Sequence, residues 1–252
     1  TFIINPGFVA MFGLSAFIAM SVMVPLGLMI SLIILSRSFQ KHGTAFKAIS
    51  LAQWVNKRYN SPAYGRLMAV LSLLLITFIV LICVGMVKVI APALQASELY
   101  VLIGLVVFVF GYTMFGGANS MAYTNAFQAI VMGVVALILI FSGTGHFDGG
   151  LSAFWGKLNQ IDPMLSKTFN PTSPIFRDFF EVIFCNFIIG LAIVCQPHII
   201  TRSLMLRSSK DINKYLAIAI VVEMLFFMVL FVGLFARLDM PDLTLAGKKL
   251  PM

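Results

Sequence analysis

The chain has 252 residues, of which 60% are hydrophobic and 10% are charged, and its mean hydropathy is +1.02. A soluble domain of this length needs more surface charge, so the composition excludes one and indicates an integral membrane protein. The net charge of +8 does not indicate a nucleic-acid partner, because Lys and Arg gather on the cytoplasmic loops of membrane proteins for reasons of insertion alone.

Six apolar segments are long enough to cross a hydrocarbon core of roughly 30 Å. In chain order they are residues 7–35, 67–91, 99–115, 121–141, 175–200 and 212–236. These segments predict an all-α, polytopic protein with about six transmembrane helices in a single transmembrane domain over residues 1–252. The expected location is the plasma membrane, which in a bacterium is the inner membrane.

Charge sets the predicted orientation of the spans. The joints after the first and fifth spans are basic, with Arg37, Lys41, Lys47, Lys57, Arg58 and Arg66 in one and Arg202, Arg207, Lys210 and Lys214 in the other. Both joints are expected inside, which requires an N-terminus outside. The turn predicted at Gly116-Gly117 then falls inside as well.

Two connections are predicted to be more than turns. Residues 44–62 mix apolar and basic side chains, which predicts an amphipathic segment at the inner surface, ended by Ser61-Pro62. Residues 149–162 predict a second interfacial helix on the outside, with Phe154 and Trp155 at headgroup depth.

One carboxylate lies inside a predicted span. Glu223 stands about midway along the sixth span, where a charged side chain costs roughly 2.5–3.5 kcal/mol and is expected to face protein or water. In a functional role, Glu223 contacts an ion or a substrate, or it accepts a proton. In a structural role, it hydrogen-bonds a neighbouring helix.

The fifth span carries Asn186, Gly190 and the run Gln196-Pro197-His198. Proline removes a main-chain donor, and Gly190 lowers the cost of a bend or of a close helix contact. Together they predict a helix interrupted inside the bilayer, of the kind that lines cavities in secondary transporters. The alternative is a helix that is kinked for structural reasons.

No catalytic motif is present in the sequence. It contains no H-E-x-x-H, G-x-S-x-G or P-loop pattern, and His146 and Asp148 share a glycine-rich loop with no positioned nucleophile. Cys83, Cys185 and Cys195 are isolated in apolar segments, which favours core packing over a disulfide or a zinc site. Neither an enzyme nor a resident cofactor is expected.

Three stretches in a fixed order carry a family resemblance. They are "ISLAQWVNKRYNSP" (residues 49–62), "TMFGGANSMAYTNAFQAIVM" (residues 113–132) and "QPHIITRSLMLRSSKD" (residues 196–211). Together they resemble the sodium:solute symporter family over nearly the whole chain. The resemblance implies a leucine-transporter-type fold, in which two inverted five-helix repeats move around a site near the midplane.

The resemblance also implies which part of that fold is present. The chain corresponds to an internal portion from the second core helix to the seventh, with the first core helix and the C-terminal helices missing. The fifth span then becomes the first helix of the second repeat, which lines the substrate cavity in a broken form. With the reasoning above, this gives candidate substrate-binding residues Asn186, Ile189, Gly190, Ile193, Gln196 and Glu223, and structural motif residues Gly116, Gly117, Pro197, His198 and Arg202.

Two positions of the implied cavity depart from the proline-transporting members. Those members have Trp and Tyr where this chain has Ile189 and Ile193, which makes the cavity wall more apolar. A small organic anion, another amino acid or a short-chain acid fits such a wall.

Thr124, Asn125 and Gln128 are the implied ion pathway. In the proline-transporting members an Asp at the Asn125 position is linked to sodium access, and Asn125 keeps a carbonyl oxygen without the charge. Helix capping is the alternative role for Asn125. The main sodium site of the family uses its first and eighth core helices, so its ligands lie outside this chain and the metal ligands are unknown.

The predicted function is sodium-coupled symport of a small organic solute, such as an amino acid or a monocarboxylate, by alternating access. The expected partners are this solute, sodium as the coupling ion and the lipid bilayer. The alternative is the transporter-like membrane sensor domain of a histidine kinase, which nothing in residues 1–252 separates from a symporter.

Overall fold

The computed structural model describes residues 4–46, 48, 50–197, 199–200, 209–242, 244–245 and 248–249. This part of the chain is helical apart from loops and a short antiparallel hairpin of β1 (Thr244–Leu245) and β2 (Lys248–Lys249). Thr244 pairs with Lys249 in that hairpin, and Leu245 pairs with Lys248. The predicted all-α class is confirmed.

The helices follow one another in a simple order. They are α1 (Ile4–Phe12), α2 (Leu14–Phe17), a π-helix π1 (Ile18–Met23), α3 (Val24–Phe46), α4 (Leu51–Tyr59), α5 (Pro62–Leu73), α6 (Leu75–Leu94), α7 (Glu98–Ser142), a 3-10 turn (Thr144–Phe147), α8 (Gly150–Ile161), a π-helix π2 (Phe180–Cys185), α9 (Asn186–Ile193), α10 (Ser209–Met228), a 3-10 turn (Val229–Phe231) and α11 (Val232–Asp239).

Five helical stretches are long and apolar enough to span a membrane: Leu14–Phe39, Pro62–Leu94, Glu98–Gly116, Tyr123–Phe147 and Ile212–Asp239. The chain is therefore a multi-pass membrane protein. A further apolar stretch, Phe180–Ile193, is shorter and reaches only about 21 Å at 1.5 Å per residue. The predicted fifth span, residues 175–200, is wrong as a continuous helix, because its first residues lie in a loop and its helix ends at Ile193.

The contacts divide the chain into two compact units. Unit 1 consists of Thr1–Lys47 and Met132–Met252, and unit 2 consists of Ala48–Val131. The two parts of unit 1 come together where α1 packs against α11, and where α3 packs against α9 and α10.

The first span begins later than predicted because the helix breaks at Gly13. Gly13 has a φ of 67°, and the N–H of Leu14 donates to the carbonyl oxygen of Leu165 at 2.8 Å. A Cβ at position 13 would overlap the backbone of Leu165. Both the left-handed backbone and the close approach therefore require glycine here.

The turn predicted at Gly116-Gly117 is wrong. Both residues lie inside α7, whose backbone is helical without interruption over 45 residues. A glycine in a helix interior costs about 1 kcal/mol relative to alanine, and continuing the helix keeps every main-chain N–H and C=O paired. Two glycines permit a reversal of the chain, but they do not force one.

An aromatic core holds the end of unit 1 that contains α8. Phe147, Phe154, Phe231 and Phe235 form a stacked and edge-to-face cluster with ring centroids 4.7–6.1 Å apart. Phe154 is 0% exposed, so its ring contacts protein, and its depth at the headgroups stays a prediction. The sequence places Phe154 correctly on a helix, α8, but its ring packs inward because other aromatic side chains provide an apolar partner.

Unit 2 contains a helical corner between α4 and α5 and a short joint between α6 and α7. The Oγ of Ser50 accepts a hydrogen bond from the N–H of Gln53 at the start of α4, and the Oγ of Ser61 accepts one from the N–H of Tyr64 at the start of α5. At the joint between α6 and α7, the Nζ of Lys88 pairs with both carboxylate oxygens of Glu98, at 2.7 and 2.9 Å.

Candidate functional site

The two helices nearest to the predicted cavity, α3 and α9, cross at a pair of glycines. A Cβ on Gly27 would overlap the carbonyl oxygen of Phe187 and lie 3.1 Å from the Cα of Gly190. A Cβ on Gly190 would in turn overlap the carbonyl oxygen of Val24. Of the two roles considered for Gly190, the structure has the close helix contact, of the kind that small residues allow in membranes.

A buried hydroxyl strengthens the same crossing. The Oγ of Ser31, one turn after Gly27 on α3, donates to the carbonyl oxygen of Leu191 at 2.9 Å, and Ser31 is 5% exposed. Because the bond reaches the main chain of α9, it fixes the two helices relative to each other. We infer that α3 and α9 move as one body.

The α9 helix is interrupted before Pro197. The N–H of Cys195 donates to the carbonyl oxygen of Ala192 at 3.0 Å, and the N–H of Gln196 donates to that of Ile193 at 3.1 Å. These are three-residue turns, so the α-helical ladder has ended. Pro197 has no N–H to extend the ladder, and the interruption lies at the place that the sequence predicts.

The π-helix π2 precedes α9, and the candidate site residue Asn186 binds one of its main-chain carbonyl oxygens. The Nδ2 of Asn186 donates to the carbonyl oxygen of Glu181 at 2.7 Å. At the preceding loop the guanidinium of Arg177 pairs with the carboxylate of Glu181, which raises the pKa of Arg177 above its ordinary value. Asn186 thus takes part in the local geometry of π2 through its amide group.

Two contacts fix the register between the helical segments that carry Glu223 and Ser21. Arg37 of α3 donates to the Oδ1 of Asn213 on α10 at 3.3 Å, and the rings of Phe17 and Phe231 meet edge to face at 5.2 Å. The helices are therefore antiparallel. Glu223 lies about midway between these contacts, level with the first turn of α3.

Glu223 is half-buried, and its Oε1 is buried without a hydrogen-bond partner among the described residues. A purely structural carboxylate is expected to hydrogen-bond a neighbouring helix, and the structure provides no such bond to Oε1. The atom is left in an apolar region of a membrane-spanning helix, where an unpaired charge is costly.

Ser21 was missed by the sequence reasoning. It lies on π1, which packs against α10, π2 and α9, and its Oγ is also buried without a hydrogen-bond partner among the described residues. Pro25, which follows π1, has no N–H, so one carbonyl of this turn loses its helical donor. The signal in the sequence is a lone serine four residues before a proline in an apolar run, and π-turns occur frequently at functional sites.

The other predicted substrate-binding residues do not converge on one cavity. Ile189 is 51% exposed, Ile193 and Gln196 are half-buried, and Gly190 is buried against α3. A groove of about 390 Å³ lies beside them, on the other face of α9, lined by Ser31, Ile34, Leu35, Ile188, Leu191, Ala192 and Cys195. The Ser31 hydroxyl is already bonded to Leu191, so among the described residues the groove offers no free hydroxyl, amide or charged group to orient a solute. Cys195 is exposed on it, so the expected core packing is wrong for this cysteine.

The predicted ion pathway lies in unit 2. Thr124, Asn125 and Gln128 are exposed residues of α7. Capping by Asn125, the alternative role, is wrong, because Asn125 lies well inside a helix that begins at Glu98. His198 and Arg202, from the predicted structural motif, lie outside the described residues.

Comparison with known proteins decides the family. The model of the sodium:solute symporter family matches residues 1–242 of this chain. The chain belongs to the sodium:solute symporter family. This confirms the resemblance carried by the three sequence stretches, and it makes the chain a member of a family of transporters.

Two proteins with similar sequences are named as transporters. The chain is 30% identical over 251 residues to the sodium/pantothenate symporter of Escherichia coli (strain K12), in an alignment covering 97% of the chain and 50% of that protein. It is 32% identical over 118 residues to the high-affinity proline transporter PutP of Bacillus subtilis (strain 168), covering 47% of the chain and 23% of that protein. The chain thus spans about half the length of the first relative, and its match covers 23% of the second. No solved structure matches it.

Proposed function

We propose that this chain forms part of a sodium-coupled symporter for a small organic solute that carries a carboxylate, such as a monocarboxylate or an amino acid. The single observation that carries the proposal is the buried Oε1 of Glu223 in a membrane-spanning helix, which has no hydrogen-bond partner among the residues that the structure describes. Both relatives are named for solutes of this chemical class. Their transporter names also favour symport over the sensor alternative.

A cation at Glu223 would allow an ionised carboxylate to be tolerated there. An isolated charge in an apolar region is costly, and a bound sodium ion removes most of that cost. Sodium therefore stabilises the conformations in which Glu223 is accessible and ionised. The hydroxyl of Ser21 lies on π1, which packs against the helix that carries Glu223, and it offers a second oxygen of the hard type that such ions prefer.

The solute is expected to bind along the interrupted helix. Asn186, Ile189 and Ile193 recur on α9 at intervals of three or four residues, so they share one stripe of that helix, and Gln196 follows just after its end. The interruption before Pro197 adds main-chain groups that a carboxylate or an amine can reach. Gly190 holds this helix against α3. Separately, we propose that Thr124, Asn125 and Gln128 on α7 line an ion pathway.

Coupling follows if sodium and solute favour the same conformation. A ligand shifts a conformational equilibrium only by its difference in affinity for the two states, and the effect of sodium on solute binding equals that of solute on sodium binding. The α3–α9 body carries the solute stripe, and it packs against the helix that carries Glu223. Movement of that body against α10 would connect the two sites.

Uptake by the full-length protein in proteoliposomes tests the proposal. Radiolabelled monocarboxylates and amino acids are offered under an inward sodium gradient and under an equal potassium gradient. We expect accumulation of at least one of these solutes, at least tenfold faster with sodium. Accumulation that ignores sodium but follows an imposed proton gradient would replace sodium as the coupling ion, and no uptake under any gradient would contradict symport.

A further inference from the structure

The corner between α4 and α5 is an exposed cluster of basic and aromatic residues, namely Lys57, Arg58, Tyr59, Tyr64 and Arg66. We propose that this basic corner is a docking site for the headgroups of anionic phospholipids. The proposal concerns lipid binding and does not depend on the solute or the coupling ion.

The corner has a defined shape. Asn60 ends α4 in the left-handed region with φ 46°, Ser61 caps α5, and Pro62 occupies its first turn. Gly65 is buried, and a Cβ there would lie 2.8 Å from the Cβ of Asn56. The two helices are therefore in contact at the corner, and the basic residues project from a fixed framework.

The apolar face of α4 is already covered by protein. Leu51 and Val55 are each 5% exposed, so they are not available for insertion into acyl chains. The sequence predicted that this segment binds the membrane as an amphipathic helix, with its apolar side in the lipid. In the structure, the charged side of α4 remains available to contact the membrane, so the attraction between this helix and the lipid is electrostatic.

The first part of the sequence carries many basic residues and no acidic ones. Residues 1–97 contain no Asp or Glu, and the first carboxylate of the sequence is Glu98, which pairs with Lys88. Orientation in the membrane depends on the distribution of Lys and Arg and is little affected by Asp and Glu. The preference for Lys and Arg on cytoplasmic loops therefore explains the basic residues, but it does not explain why acidic residues are missing. Binding of an anionic partner explains both.

The position of the corner favours lipid as that partner. Pro62 begins a span that continues to Leu94, so Arg66 lies in the first turns of a membrane helix, and basic residues beside a span are where anionic headgroups are bound. Guanidinium groups suit phosphate oxygens in geometry as well as charge. Arg58 also lies over the ring of Trp54 at 5.9 Å, and the rings of Tyr59 and Tyr64 meet at 5.7 Å, as aromatic side chains at an interface do.

Titration of the full-length protein in a neutral detergent tests the proposal. The ligands are short-chain phosphatidylglycerol, phosphatidylcholine of equal chain length and inorganic phosphate, and bound ligand is counted by native mass spectrometry. We expect phosphatidylglycerol to bind at least tenfold more tightly than phosphatidylcholine, and more weakly as salt is raised. Each basic residue near an anionic surface contributes about fivefold in affinity, so Arg58→Gln/Arg66→Gln should lose about twenty-five-fold.

Two controls make the result specific. Lys157→Gln/Lys167→Gln removes two exposed charges from unit 1 and should leave phosphatidylglycerol binding unchanged. Arg58→Lys/Arg66→Lys keeps the charge and should retain more affinity than the Gln pair. Equal binding of the two lipids, an unchanged affinity in the Gln pair, or displacement of lipid by inorganic phosphate at equal concentration would each overturn the proposal.

Discussion

Gly27 and Gly190 face each other across the crossing of α3 and α9, and neither position has room for a Cβ. We expect Gly190→Ala to lower the free energy of unfolding by about 1–3 kcal/mol, because a methyl group forced into a packed contact displaces backbone. Thermal unfolding of the purified protein in detergent measures this. Gly133→Ala is the control, since a Cβ there meets nothing within 4 Å, and it should be neutral or slightly stabilising.

Gly13 is predicted to be equally intolerant for a different reason. Gly13→Ala forces an L-residue into a left-handed backbone, which costs about 1–2 kcal/mol, and pushes its methyl group into Leu165. The melting temperature should fall, and the loop that contains Leu165 should become more sensitive to protease. Gly7→Ala in α1, where a Cβ has open space, should change neither property. Equal stability of both variants would show that the loop does not depend on this contact.

Substitution of Glu223 is predicted to change the sodium dependence of uptake more than it changes protein stability. Glu223→Gln keeps the size of the side chain and removes the charge, so the sodium concentration for half-maximal uptake should rise about tenfold, while the melting temperature in the absence of sodium stays the same or rises. Glu98→Gln breaks an exposed ion pair and serves as the control. If both variants show the sodium dependence of the parent protein, Glu223 has a structural role.

Ser21 is predicted to act together with Glu223. Ser21→Ala removes one buried oxygen that has no partner in the described part of the chain, and it should weaken sodium dependence severalfold in the parent protein. In the Glu223→Gln background the same change should have little further effect, since residues of one site are not additive. Additive effects in this double-mutant cycle would mean that the two residues serve different sites.

Ile189 and Ile193 are predicted to influence which solute is carried. Ile189→Trp and Ile193→Tyr add bulk to the solute stripe, so the ratio of uptake rates between two competing solutes should change by at least fivefold. Ile188→Trp adds the same bulk to the groove on the other face of α9 and should leave the ratio unaltered. A change in that control alone would place the solute in the groove.

The sequence was sufficient for features that depend on local chemistry. Pro197 predicts the end of a helical ladder because it lacks an N–H, and the structure ends α9 just before it. The apolar spans follow from segment length and hydropathy, and four of the six predicted segments have counterparts with similar bounds among the long apolar helices.

Features that depend on a distant partner were not predictable in the same way. The break at Gly13 requires Leu165, and the burial of Phe154 requires Phe231 and Phe235. At Gly116-Gly117 the sequence allows two conformations of similar local cost, so the residue types alone could not choose between a turn and the continuous helix. Ser21 gained importance only when its π-turn and its missing hydrogen-bond partner were visible.

The most direct measurement is the rate at which a thiol on the interrupted helix is alkylated in the full-length protein. A cysteine replaces Ile193 in a background without other cysteines, and a matched variant carries it at Ile188. We expect sodium together with the transported solute to slow alkylation at position 193 at least tenfold, with no change at position 188. Equal rates at position 193 with and without sodium and solute would contradict a solute site on this helix.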